Sequence, residues 1–192
     1  MQVVPVHVRV LQEAECMYQA APENRAGAGS VYGMAEGGIM ILAIDPGTKA
    51  GVTFTDGKAF ETHLWNLATK PKTKKRAAEP KHFRLLKLWN HLVNSHAGVD
   101  TIVYEGAAGF MRGKAAVEVS HKLRGIIELF AGVYNISLVM VEPNDLKQFA
   151  LGKRSGDKSE MISAANRQGY EGSEDNEADS YLLAKWYVKY YR

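Results

Sequence analysis

The run Met40-Ile-Leu-Ala-Ile-Asp45 is a short apolar strand that ends in a carboxylate and passes at once into Pro46-Gly47. A buried strand that runs out into a glycine turn delivers its last side chain to the rim of a sheet. Two further acids stand at comparable element ends. Glu105 closes the strand pattern Thr101-Ile-Val-Tyr-Glu105, and Asp179 opens the apolar part of a helix near the C-terminus.

The segments around this strand predict an α/β fold. Gly51–Thr55 and Lys58–Leu64 flank Asp56-Gly57, a strong hairpin signal, so three antiparallel strands come first. Residues 82–96 have helical periodicity, with Phe83, Leu86, Trp89 or Asn90, and Val93 as the expected apolar stripe. A strand at 101–105 leads to a helix at 114–132 with Ala116, Val119, Leu123, Ile126 or Ile127, and Phe130 in steps of three and four. A strand at 136–141 and a short helix at 144–150 follow. Asp157 and Glu160 form a capping box for a helix reaching about residue 168, and a last helix spans roughly 174–190. The order β-β-β-α-β-α-β-α-α calls for a mixed sheet with helices packed on it.

With 192 residues the chain can fill one sizeable core. No apolar run reaches membrane-spanning length, and a secretory signal pattern is not seen at residue 1. Its single cysteine, Cys16, excludes an internal disulfide and a zinc-cysteine cluster, and the expected setting is cytoplasmic. Residues 1–38 read as an N-terminal extension: alternating valines at 4, 6, 8 and 10, then a stretch rich in Ala and Gly up to Gly38. The compact domain is expected over 39–192.

Formal net charge is only +3, but Lys70, Lys72, Lys74, Lys75, Arg76 and Lys81 fall close together, with Pro71 and Pro80 between them. Such a loop either is solvated or contacts phosphates, since clustered Lys and Arg displace counterions from a nucleic-acid backbone. Lys114, Lys122 and Arg124 have the same two readings, phosphate contact or solvation of a helix face.

Each acid taken alone has a structural reading, as a turn former before Pro-Gly or as a helix cap. Together, Asp45, Glu105 and Asp179 suit a hard divalent cation. Asp175 and Asn176, four and three residues before Asp179, share its side of the helix; Glu177 points elsewhere. Clustered carboxylates raise one another's pKa values, a cost that Mg²⁺ removes. A pair of such ions serves in-line phosphodiester hydrolysis and leaves several coordination positions to water and substrate. Lys158 sits in the first turn of a helix, where a cation is mildly unfavourable, so a role at developing phosphate charge explains it better than capping.

From Ile39 to about Trp186 the chain resembles the RuvC family of Holliday-junction resolvases, in a form like those of bacteriophages. ILAIDPGTKAGVT resembles the family's first strand, whose metal-binding Asp is here Asp45. TIVYEGAAGFMRGK resembles the strand with the metal-binding Glu, here Glu105, and LKQFALGKRSGDKSEM the basic segment whose lysines, here Lys147 and Lys158, assist at the scissile phosphate. DNEADSYLLA resembles the final acidic helix, with Asp179 as the last ligand. Where the family carries Asp or His three residues earlier, this chain has Asn176, with Asp175 one step before.

The resemblance implies a ribonuclease-H-like fold with a mixed five-stranded sheet flanked by helices. It implies a Mg²⁺-dependent crossover junction endodeoxyribonuclease, with Mn²⁺ able to substitute and two ions per site. Branched DNA is the expected partner, a homodimer with its seam on the 114–132 helix the expected assembly, and a bacterial or phage-infected cell the setting. Phe110 and Met111 would wedge into the junction centre, or else plug the core. Lys72, Lys74, Lys75, Arg76, Arg112, Lys114, Lys147, Lys153 and Arg154 would contact DNA. The alternatives are a nuclease for other branched DNA or for RNA–DNA hybrids, a junction-binding protein without catalysis, and an actin-like ATPase fragment suggested by Asp45-Pro-Gly-Thr48.

Overall fold

The computed structural model describes residues 39–71, 73, 79–106 and 114–192. The extension 1–38 and the proposed DNA contacts Lys72, Lys74, Lys75, Arg76, Phe110, Met111 and Arg112 lie outside the described residues, as does the side chain of Lys114.

Five strands form one sheet: β1 (Met40–Asp45), β2 (Lys49–Thr55), β3 (Phe60–Asn66), β4 (Val99–Glu105) and β5 (Ser137–Val141), in the order β3-β2-β1-β4-β5. β1 pairs antiparallel with β2 and parallel with β4; β2–β3 is antiparallel and β4–β5 parallel. The sheet is therefore mixed, as expected. The helices are α1 (Phe83–Ser95), α2 (Lys114–Tyr134), α3 (Pro143–Leu151), α4 (Lys158–Arg167) and α5 (Asp175–Tyr191).

β1 is apolar at every position from Met40 to Ile44 because both of its faces are covered. Strand alternation sends Leu42 and Ile44 to one side, where they pack with Val52, Phe54, Ile102 and Tyr104 under α1 and α2. It sends Ile41 and Ala43 to the other side, with Val103 and Val141 under α3, α4 and α5.

Two expectations are corrected. β3 begins at Phe60 rather than Lys58, because the Asp56 carboxylate accepts the Lys58 and Ala59 amides at 2.9 Å and holds both in the turn. In α1 the inward stripe is Leu85, Leu88 and Leu92, while Phe83 and Leu86 remain 38% and 53% exposed. Trp89 and Val93 of the expected stripe do pack against this core, Trp89 edge-on to Phe130 with ring centroids 5.4 Å apart, so the inward face combines the leucines with these two. In α2 Leu123, Ile127 and Phe130 are buried as the spacing predicts, and α4 opens with the expected Asp157–Glu160 capping box.

Candidate active site

Asp45 and Glu105 are the last residues of adjacent parallel strands, one step beyond the Ile44–Tyr104 pair. Period-2 alternation turns both side chains to the face of Ala43 and Val103, the face on which α5 lies. The C-terminal edge of the sheet thus carries two carboxylates side by side under a helix.

What brings α5 to them is Gly51, the partner of Asp45 across the β1–β2 ladder. A Cβ at Gly51 would lie 1.8 Å from the Asn176 carbonyl oxygen and 2.8 Å from the Glu177 nitrogen, so the first turn of α5 rests directly on bare backbone. One turn further, Ser180 Oγ and Thr53 Oγ1 are 2.9 Å apart in a buried hydrogen bond. These two contacts set the height and rotation of α5 and place Asp179 against the strand ends. Glu177 points away and accepts the Tyr170 hydroxyl at 2.7 Å, in keeping with the sequence reading.

The acids act on one another. Asp45 is pushed well above the ordinary carboxylate range, by burial first and then by the charges of Glu105, Asp179 and Asp175, with Arg124 opposing. Burial and the charge of Asp179 raise Glu105 from 4.5 to about 7, and burial and the charge of Asp175 raise Asp179 from 3.8 to about 6. Asp179 Oδ1 is buried and, among the described residues, has no hydrogen-bond partner. Oxygen donors held close, costly to ionise and in part unpartnered fit a hard divalent cation. Among the described residues no three His, Cys, Asp or Glu side chains are gathered tightly enough to hold one ion between them, so the closed three-acid cage is not seen. Mg²⁺ binds through one or two carboxylates and keeps water and phosphate oxygens as its other ligands, so it does not require three acids on one ion.

Two lysines act on the cluster. Lys158, from the first turn of α4, donates to the Asp175 carboxylate, and its pKa is raised by that bond first and also by the charges of Asp175, Asp179 and Asp45. Asp175 is correspondingly held below its ordinary range, chiefly by Lys158. The Lys147 charge, from α3, lowers both Glu105 and Asp179. Lys153 and Arg154 stand on the α3–α4 loop and are each engaged by a carboxylate, Lys153 with Glu160 and Arg154 with Asp145 at 3.8 Å. Asn176 contributes its backbone to the α5–β2 contact.

Arg124 corrects the sequence reading. It neither solvates α2 nor projects to solvent; only 8% of it is exposed. Its guanidinium donates to the Glu105 and Gly106 carbonyl oxygens at 2.9 and 2.7 Å and also to Ser120. It pins the end of β4 and lowers the pKa values of Asp45 and Glu105. Its spacing was only a weak signal: Arg124 lies four residues after Ser120 and three before Ile127, on the buried side of the helix.

No protein-family model and no curated protein sequence matches the chain. Solved structures do. RuvC of T. thermophilus in complex with a Holliday junction substrate superposes with a TM-score of 0.60 at 16% identity, covering 76% of this chain and 90% of that one. A second Thermus thermophilus RuvC structure gives 0.56 at 16% identity over 79% and 96% of the two chains. The fowlpox virus Holliday junction resolvase gives 0.48 at 12% identity over 79% and 99%. The strand order, the parallel β1–β4–β5 half and the helices on both faces give the chain a RuvC-like fold of the ribonuclease-H-like class.

Proposed function

We propose that the protein is a structure-selective endonuclease that resolves four-way DNA junctions by divalent-metal-dependent phosphodiester hydrolysis. The observation that carries this reading is that Asp45 and Glu105 end adjacent parallel strands under the helix that carries Asp179, with carboxylate charges acting between them and two lysines beside them, although no three of these side chains are gathered round one point. RuvC, the fold neighbour, is the protein seen with a Holliday junction substrate.

Asp45, Glu105 and Asp179 would hold two Mg²⁺ or Mn²⁺ ions, with Asp175 or Asn176 as a supplementary ligand. When bound, the metal supplies an activated water and charge neutralisation at the phosphodiester. Arg124 fixes the backbone that carries Glu105, so this carboxylate is oriented before substrate arrives. Lys158, held beside the acids by Asp175, would donate to a non-bridging phosphate oxygen as charge develops there. Lys147, whose charge lowers the pKa values of Glu105 and Asp179, would serve the same phosphate charge.

Cutting two symmetric strands calls for two copies of the chain, and the outer face of α2 suits a helix-on-helix seam. Leu129 is 56% exposed there, and a Cβ built on Gly125 or Gly132 meets nothing within 4 Å. Among the described residues no helix is long and apolar enough to cross a membrane.

A cleavage panel with Mg²⁺ tests the proposal. Paired nicks in a synthetic four-way junction, and none in linear duplex or RNA–DNA hybrid, are expected. Binding without nicking at any metal concentration would leave only a junction-binding protein. Lys158→Ala is expected to slow cutting about 10²-fold with a much smaller loss of affinity. Equal losses in rate and affinity would make Lys158 a phosphate anchor alone.

A further inference from the structure

A groove of about 510 Å³ opens on the opposite side of the β1 tip from the acidic cluster. Its walls are the β1–β2 turn at Pro46, Gly47 and Thr48, the start of α1, and the first turns of α2. All three stand at the carboxyl ends of the strands, where α/β sheets bind their ligands. The turn begins at the residue after Asp45, so groove and acidic cluster are separated only by the width of one strand.

The chemistry of the groove is specific. Leu85, Val119, Leu123 and Ala116 give it an apolar floor, and its size lies within the range of small-molecule sites, about 300–1,000 Å³. Lys81, Arg84 and Lys122 bring positive charge to its lining, against one carboxylate, Glu118, which is bonded to Lys122 at 2.5 Å. Arg84 Nε is buried and, among the described residues, has no hydrogen-bond partner. A buried guanidinium nitrogen without an acceptor is a cost that native proteins seldom carry unless something is bound there.

We propose that this groove is a nucleotide subsite. It takes one unpaired nucleotide of the strand being cut, the base against the apolar floor and its phosphate on Arg84 and Lys81. The strand then crosses the Pro46–Thr48 turn to reach the acidic cluster. An apolar cleft that carries a buried guanidinium nitrogen and a neighbouring lysine complements a base and its phosphate as neither a purely apolar nor a purely ionic ligand would. The inference rests on the proposed nuclease function, but its test does not require cutting.

The test is a calorimetric titration of the full chain with a 5′-phosphorylated thymidine trinucleotide in chelator, where the metal-free carboxylates repel phosphate and leave the groove as the binding site. Wild type is expected to bind. Ala116→Trp, which fills the groove, should abolish binding, and Arg84→Met should weaken it about tenfold. Because Arg84 Nε has no partner to lose, Arg84→Met should melt no lower than wild type. For junction binding, Arg84→Met should reduce the slope of log affinity against log salt by about 0.7–0.9, the loss of one phosphate contact. No trinucleotide binding by wild type, or equal binding by Ala116→Trp, would overturn the subsite even if junctions are cut. Binding lost in Ala116→Trp would uphold it even if the junction panel shows no nicks. A lowered melting temperature in Arg84→Met with an unchanged salt slope would make Arg84 structural and overturn its role.

Discussion

Replacing Asp45 with Asn is expected to abolish junction cutting, by at least about 10³-fold, while junction binding stays as tight as in wild type or tightens. The substitution keeps the side-chain shape but removes a charge that would both ligate metal and repel phosphates. Cutting that persists in Asp45→Asn would remove this residue from the mechanism. The same variant has a signature without substrate. Glu105 and Asp179 have folded-state pKa values raised from 4.5 to about 7 and from 3.8 to about 6. A carboxylate raised on folding binds its proton more tightly in the native state, so its contribution is fully present below the unfolded pKa and is lost as pH rises through the folded one. The metal-free protein should therefore lose stability between about pH 4 and pH 7, by a few kcal/mol, a tenfold change in proton affinity being about 1.4 kcal/mol. Asp45 adds to this loss because its own pKa is raised well above the ordinary range. Thermal melts across this interval should fall steeply for wild type in chelator, less steeply for Asp45→Asn, and least for wild type with Mg²⁺. A wild-type melting temperature that stays flat or rises across the interval would show that the acids do not share one environment.

Gly51→Ala should be as damaging from a position that holds no chemistry. Its added methyl would occupy the space of the Asn176 carbonyl, and both clashing groups are backbone. α5 would have to lift from β2, which also strains the buried Thr53–Ser180 hydrogen bond. A destabilisation of about 2–4 kcal/mol is expected, together with loss of cutting. A displacement of Asp179 by about 1 Å is sufficient for a 10²-fold loss in rate. Strand propensity alone would favour Ala over Gly here, so the sign of the measured change is decisive. A variant that melts at or above wild type and still cuts would show that this close approach does not position Asp179.

Much of the site was legible along the chain because strands and helices are local. An apolar run that ends in Asp45 before Pro-Gly, a second that ends in Glu105, and a helical run with Asp179 near its start are each legible from residues within a few positions. Strand alternation even implies that Asp45 and Glu105 face the same way once β1 and β4 are neighbours. The capping box at Asp157 and Glu160 likewise places Lys158 in the first turn of its helix. The start of β3 was less legible, because Asp56 captures two amides that hairpin spacing alone would assign to the strand.

Other features had no local signal strong enough to read. The apolar residues of α1 satisfy two helical stripes, and only the neighbouring core decides that Leu88 and Leu92 turn inward while Leu86 does not. Arg124 looks like any surface cation until β4 supplies two backbone carbonyls for it to hold. Gly51 looks like an ordinary strand glycine until the backbone of Asn176 is laid against it. Local spacing and turn chemistry were thus enough to specify the elements, their order and the acids at their tips, because those depend on interactions a few residues long. The height at which α5 meets the sheet, the burial of Arg124 and the burial that, with neighbouring charges, raises the pKa values of Asp45, Glu105 and Asp179 arise between residues far apart in the chain. Such contacts exist only once the core has closed, so the tertiary structure alone decides them.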